Sequence, residues 1–421
     1  MPIYVYQGNS QVSTNAIRNN KVVKAIYAKE QGQEAVCVWG IDDIMIFTYT
    51  VMDNKITITG LKPDKQPTVL TVPTQINGVP VTAISSGAFM NKNQIRSVYI
   101  PDSVTNIGEN ILAGCSSIES LTVPFFGPTK STKSEEDQYP LGYLFGTTSY
   151  TGGVATEQHI GRKYYHSIYT YYIPESLRAV TVKGGYYFYY SFENCTNLRD
   201  IKLPDYAVEI YDDVFNGCSS LENLTVPFVG QRYTNPIQSN PGGIDYVFGA
   251  IFDVTRTNSA DPVEGATLQY VSGSTYYWYH IPKTLRNVVI TNTLETKTVI
   301  TPNAFMNCTM LKNITMGTGV GGDIQESAFK NCKGLTSIMI PGQIDAIRGT
   351  AFYGCTGLTS VTIPDSVTYI GQSAFAYCTG LTSITFNGTK AQWAAITKLS
   401  SWNSNTGNYT IHCTDGDIPK Q

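Results

Sequence analysis

Apolar residues recur along this chain as one short word. In AFYGCTGLTSVTIPDSVTYIGQSAFAYCTGLTSITF, read from Ala351, Phe352 is followed by Cys355, Leu358, Val361 and Ile363; Phe375 then opens the same word with Cys378, Leu381, Ile384 and Phe386. The word recurs upstream at Phe329/Cys332 and Phe305/Cys308. Its plainest trace is a Leu or Ile followed after three residues by an aliphatic side chain and after five by another apolar one. That trace starts at Ile95, Ile118, Leu177, Leu198, Leu221, Leu285, Leu311, Leu335, Leu358 and Leu381. Neighbouring starts lie 21 to 26 residues apart, except for two intervals of 59 and 64 residues. Self-similarity at a short fixed period is the mark of a solenoid. Ten stacked coils of about 23 residues are therefore expected, two of them followed by insertions.

The physics of one coil is readable from its last copies. Leu358, Val361 and Ile363 point inward and Thr362 outward, so Val361-Thr362-Ile363 is a short strand. Pro364 cannot donate to a ladder and ends it. Asp365-Ser366 form a turn, Val367 and Ile370 return to the core, and Ala374-Phe375 sit on a short helical or turn segment across the coil. One such unit cannot bury its apolar face alone. Stacked units share a core and one parallel sheet with strands about 4.8 Å apart.

These words resemble the BspA-like (treponemal-type) leucine-rich repeats over residues 68 to 418. TVPTQINGVPVTAI, from Thr71, is similar to the entry hairpin of that family, and ITFNGTKAQWAAITKLSSWNSNTGNYTIHCTDGDI to its C-terminal cap. The resemblance implies a leucine-rich-repeat solenoid, a β-rich α/β repeat protein. It also implies an origin on bacterial or protist cell surfaces and binding or adhesion rather than catalysis. The expected organisation is an N-terminal arm over 1–40, a β-rich cap over 41–84, repeats over 85–386 and a C-terminal cap over 387–421, with insertions at about 125–172 and 228–280.

In the arm, VYQGNSQVS and KVVKAIYAKEQGQEAVCVWG read as short strand–turn–strand pieces turning at Gly8 and Gly32. The second piece is similar to strand modules of phage and prophage tail-associated proteins from gut bacteria. That likeness implies particle assembly, or homo-oligomers, through the arm. In the N-terminal cap, IMIFTYTV and KITITG alternate around Met52-Asp53-Asn54; at the other end Thr389-Lys-Ala-Gln392 is a capping box opening a short helix with Trp393 and Ile396. The insertions are themselves related. FFGPTKSTKSEEDQYPLGYLFG follows Pro124, FVGQRYTNPIQSNPGGIDYVFG follows Pro227, and both return through a similar word, YYIPESLRAVTV and YHIPKTLRNVVI. A duplicated three-coil unit is implied, with both insertions leaving one edge of the array as a paired protrusion.

Composition narrows the function. Charged residues make up only 14% of the 421, against roughly 25% in an average soluble protein. With 29 basic and 32 acidic residues the net charge is −3, which gives no electrostatic case for nucleic acid. The longest apolar runs are strand-length, far short of the ~20 residues of a membrane-spanning helix, so membrane insertion is not expected. MPIYVYQGNSQ lacks a basic segment followed by an apolar core and does not read as a Sec signal peptide.

The chemistry-bearing residues are few. Seven cysteines (Cys115, Cys195, Cys218, Cys308, Cys332, Cys355, Cys378) share one repeat position and are expected to stack as buried free thiols, because their parallel Cβ vectors suit a disulfide poorly. Four histidines show no zinc spacing, and His412-Cys413 point to opposite faces of a strand, so no catalytic residue, metal or cofactor is expected. The Asn-x-Ser/Thr matches are by-products of the repeat word.

Tyrosine, at 29 residues, is the unusual feature. The candidate ligand-binding residues are Tyr143, Tyr164, Tyr165, Tyr169, Tyr187, Tyr189, Tyr233, Tyr246, Tyr276, Tyr277 and Trp278, all in or beside the insertions. Such rings give rigid amphipathic contact area and stack on sugars. The competing reading is that half of them pack the lobes onto the solenoid. The expected function is non-enzymatic extracellular recognition of a surface protein or glycan. Three settings are open: a phage or prophage tail component, a secreted or surface-displayed adhesin, and a structural protein of a particle.

Overall fold

The computed structural model describes residues 46–421 apart from 131–138, 163–164, 212, 231–246, 253, 256–263, 265, 273–274, 292–297 and 421. Ahead of residue 46 it describes four short strands, Val5–Gln7, Ser10–Val12, Ile26–Ala28 and Val36–Trp39. At 162, 165, 254–255, 270–272 and 275–276 only the backbone is described. The chain forms two compact units. One holds Met1–Lys130, Leu141–Thr156 and Thr170–Leu177; the other holds Ser131–Pro140, Glu157–Tyr169 and Arg178–Gln421. Each is a stack of β-solenoid coils.

In the first unit the cap begins with the antiparallel hairpin Phe47–Met52/Lys55–Leu61. Its turn residues Asp53 and Asn54 have φ of 49° and 55°, the left-handed pair that matches strand twist in a two-residue turn. Lys55–Leu61 then pairs in parallel with Val79–Ile84, which switches the chain from hairpin to coil geometry. The outer face of Phe47–Met52 is exposed while Phe47, Ile56 and Ile58 are buried, as a terminal cap requires. The first coils follow in parallel register, with Val98 between Leu70 and Leu121.

The second unit repeats that register. Val180, Ile201, Leu224, Val288 and Ile314 are successive inward partners, and Ile338, Val361, Ile384 and Ile411 form another such run. Leu224 pairs directly with Val288, so the 64-residue interval is an insertion that leaves the ladder unbroken. A second column of short parallel strands, including Val320–Ile324, Ile344–Ile347 and Tyr369–Ile370, lines another side of the coil.

Between these columns lies a core of identical side chains. The rings of Phe305, Phe329, Phe352 and Phe375 stack at centroid spacings of 5.4, 5.0 and 5.0 Å with nearly parallel planes. Each repeat cysteine beside them is free and buried. Cys332, Cys355 and Cys378 donate their S–H to the carbonyls of Phe305, Phe329 and Phe352, one coil earlier, at 3.0–3.1 Å. The same carbonyls accept the N–H groups of Cys308, Cys332 and Cys355 at 3.0–3.2 Å, so each thiol takes the second lone pair of a carbonyl already used by its own turn. Two positions per coil, two residues either side of the phenylalanine, have left-handed φ, and Asn, Gly, Ser, Thr or Asp mostly fill them. At the C-terminus Thr389 caps the helix Lys390–Ala395 with a capping box to Gln392, and Trp393 packs on Phe386 and Trp402. The antiparallel pair Thr410–Cys413/Gly416–Pro419 finishes the sheet.

The insertions differ from the expected edge protrusion in one respect. Each contains a buried 3-10 turn, Leu141–Leu144 and Phe248–Ile251, that joins the coil stack. The Leu112 N–H donates to the Leu144 carbonyl at 2.9 Å, and the Phe248 N–H to the Ala304 carbonyl at 2.8 Å. Phe248 packs on Phe305 with centroids 4.9 Å apart. These turns are apolar, so they fill the place of a missing coil bend rather than reaching into solvent.

Candidate functional site

After each 3-10 turn the insertion forms an antiparallel sheet. In the first, Gly153–Arg162 pairs with Tyr165–Pro174. In the second, Thr275–Tyr279 lies between Val254–Thr255 and Thr267–Ser272. Both carry the word Ala-Thr-x-Gln, at Ala155–Gln158 and Ala266–Gln269 by number, and both glutamines are wholly buried. Gln158 Nε2 donates to the Glu193 carbonyl (2.7 Å) and reaches Cys195 Sγ (3.4 Å). Gln269 Nε2 donates to the Met306 carbonyl (3.1 Å) and sits 3.6 Å from Cys308 Sγ, while its Oε1 accepts from the Gly249 N–H (2.7 Å). Each glutamine thus reaches the repeat cysteine that follows its insertion. Asn194 and Asn307 donate to the carbonyls of Glu157 and Leu268 (2.8 and 2.7 Å) and complete the seam. A glycine makes room for the returning tyrosine: a Cβ on Gly142 would meet Tyr171, and one on Gly249 would meet Tyr279, at 2.2 and 2.4 Å.

The first lobe adds a polar brace. His159 Nδ1 lies 2.6 Å from Glu193 Oε2, which also accepts from the His159 N–H at 3.1 Å. The His166 ring lies edge-on to His159, with centroids 4.5 Å apart, and Tyr190 packs against both. Tyr190 has φ of 49°, a left-handed position unusual for a bulky side chain. Glu193 is buried, and these groups spend their hydrogen bonds on each other, so they hold the hairpin in place. Beyond the brace, His166, Ser167, Ile168, Tyr169 and Thr170 are all exposed, with Ile168 at 60% and Tyr169 at 47%. Tyr165–Pro174 carries no Asp, Glu, Lys or Arg.

The candidate rings divide on burial. Tyr169 is exposed; Tyr187 and Tyr277 are half-buried. Tyr143, Tyr189 and Trp278 are buried and offer no contact area, a correction to their place among the candidates. Tyr143 donates its hydroxyl to the Ile107 carbonyl (2.9 Å), fixing the 3-10 turn. Tyr189 stacks on Tyr211 at 3.7 Å, and burial with the Glu209 carboxylate pushes the Tyr211 phenol upward. Tyr164, Tyr233 and Tyr246 lie outside the described residues, and Tyr165 and Tyr276 are described by backbone alone. The sequence reading missed the two seam glutamines, although the shared Ala-Thr-x-Gln word marks them.

The thiols are chemically quiet. Burial pushes Cys115 up to about 11 and Cys218 up to about 12, so both stay neutral. His412 pairs with Asp417 across the terminal hairpin, and burial and Asp415 raise the Cys413 thiol. Among the described residues no group of three or more His, Cys, Asp or Glu is placed to hold a metal ion, and no helix is long and apolar enough to cross a membrane.

Three segments, 74–133, 167–234 and 274–398, match the BspA type leucine rich repeat region, in six copies. No curated protein matches the sequence. Among solved structures the chain is similar to a leucine rich cell surface protein from Faecalibacterium prausnitzii A2-165, with 19% identity, 84% of this chain and 96% of that chain covered, and a TM-score of 0.25. It is also similar to a leucine-rich repeat protein from Bacteroides ovatus ATCC 8483, with 17% identity, 87% and 98% covered, and a TM-score of 0.27. The repeat match covers more than half of the chain and falls on the coils whose strands and Phe–Cys columns are described above, so the chain belongs to the BspA-type leucine-rich repeat family.

Proposed function

We propose that this protein is a non-enzymatic recognition protein that works outside the cell and binds a surface protein through the first inserted hairpin. The observation that carries the reading is the combination of anchoring and exposure. Gln158 and the His159–Glu193 pair fix the hairpin to the coils, and Ile168 and Tyr169 stand in solvent on an uncharged strand. A tyrosine presented on an anchored strand beside an exposed aliphatic side chain suits a protein-binding hot spot, where tyrosine is enriched. Membership of a family of generally non-enzymatic repeat scaffolds supports the same reading. The setting we propose is a bacterial surface, with a tail particle as the alternative suggested by residues 1–40.

The test titrates labelled full-length protein onto mammalian epithelial cells and onto bacterial envelopes, before and after protease treatment of those surfaces. Saturable binding to one of them, lost after protease, is expected. Saturable binding to neither, or binding that survives protease, contradicts the reading. The surface that binds separates adhesin from tail component.

A further inference from the structure

At the seam of the second lobe the polar brace of the first is missing. The positions of Tyr190 and Glu193 are taken by Asn303 and Met306. In place of packed rings there is an open groove of about 520 Å³, lined by Leu268, Pro302, Met306 and a set of polar residues: Asn303, Asn307, Glu326, Ser327, Lys330 and Asn331. That volume lies within the range of small-ligand sites, roughly 300–1,000 Å³.

The polar lining is partly pre-set. Asn331 Nδ2 donates to Asn307 Oδ1 (3.0 Å), which in turn donates through its Nδ2 to the Leu268 carbonyl, so both amides are held in orientation. Ser327 shares a hydrogen bond with Thr350 (2.8 Å). Glu326 is exposed at the rim. A carboxylate, an ammonium group and fixed amides around one groove supply both acceptors and donors at close spacing, with charges that cancel.

Next to the groove, outside its lining, lie two tyrosine rings tilted by 52° to one another. Lys330, in the groove wall, places Nζ 5.5 Å from the centroid of the Tyr353 ring on the next coil. Tyr353 lies 5.1 Å from Tyr377 on the coil after that. Tyr377 is 45% exposed and has φ of 61°. Equivalent positions on earlier coils hold Asn91, Gly114, Asn194, Gly217, Asn307, Asn331 and Gly354, the residues that tolerate a left-handed backbone. A tyrosine there costs backbone strain while leaving nearly half of its surface open, as for a side chain kept for contact with something outside the fold.

We propose that this groove and the Tyr353–Tyr377 platform bind a neutral oligosaccharide, with one pyranose seated among Asn303, Glu326 and Lys330 and the next stacked on the tyrosine rings. Hydroxyl-rich rings need paired donors and acceptors around their edges and an aromatic surface under their C–H face, and both are present side by side. With Lys330 balanced by Glu326, the groove offers no net positive charge to attract an acidic sugar. The site is separate from the hairpin assigned to protein recognition.

The strained tyrosine gives a test that separates binding from folding. The full-length protein, Tyr377→Asn and Glu326→Gln are applied to a glycan array carrying neutral and sialylated glycans, and their melting curves are compared. The wild-type protein is expected to bind neutral glycans, and each variant to lose about tenfold in affinity, a change of ~1.4 kcal/mol. Tyr377→Asn should melt no lower than wild type, because Asn suits the left-handed backbone better. Binding of no neutral glycan, preference for sialylated glycans, or unchanged binding by both variants would overturn the proposal. So would a lower melting point for Tyr377→Asn, since the ring would then be structural.

Discussion

At the scale of single residues, the coil makes sharp distinctions between neighbours. Leu358 and Val361 are buried while Thr362, one step along the strand, is only half-buried. Leu358→Ala removes a core side chain and should cost about 2–5 kcal/mol. Thr362→Ala should stay within ~0.5 kcal/mol. Chemical denaturation of the two variants compares them directly, and equal losses would mean that the in/out register is wrong. The cysteines make a second residue-scale prediction. Burial raises Cys115 from its ordinary 9.0 to about 11, so the folded state favours the neutral thiol. The stability that depends on it is whole below pH 9.0, where the unfolded thiol is also neutral, and falls as pH rises toward about 11, where only the unfolded form ionises freely. Denaturant midpoints should therefore drop across that window, and Cys115→Ala should flatten the drop. A profile unchanged by the substitution would contradict the assignment. Reducing agent should leave the midpoint unaltered, since the thiols are free.

At the scale of elements, the insertions are held by their seams. Gln269→Ala would leave the Gly249 N–H and the Met306 carbonyl buried without this partner, at a cost of about 1–3 kcal/mol. Hydrogen exchange should show faster opening of Phe248–Ile251 in the variant; unchanged protection there would mean that the glutamine is not the anchor. The seams also mark where the sequence is hard to read. Strand register is legible from Leu358 to Phe386 because the repeat copies one alternation many times, and the capping box at Thr389 is a local signal that needs no tertiary context. The insertions have no such period. Nothing local distinguishes the buried Tyr143 and Trp278 from the exposed Tyr169, since their environment is set by which coil bend a 3-10 turn happens to replace. The Ala-Thr-x-Gln word, present twice, was the one legible trace of the seam. Its meaning depends on a carbonyl and a thiol some 35 to 39 residues away.

At the scale of the molecule, each unit is a stack of coils whose terminal coil needs a cover. In the first unit the hairpin Phe47–Met52/Lys55–Leu61 covers the first coil, and in the second the Trp393 helix with the pair Thr410–Cys413/Gly416–Pro419 covers the last. Single exposed apolar side chains occur on the coils too, Met339 at 71% among them, but Ile168 and Tyr169 are adjacent and lie on an insertion that coil stacking does not require. They sit on a hairpin that the seam and the His159–Glu193 brace keep rigid, and a preorganised contact loses less entropy on binding than a mobile one. The most direct test compares the binding of wild type and the double variant Ile168→Ser/Tyr169→Ala to the same protease-sensitive surface, with both melting curves recorded. Recognition through the hairpin predicts an affinity at least about tenfold lower for the variant, ~1.4 kcal/mol or more, with an unchanged melting temperature. Equal affinity of the two proteins would contradict it.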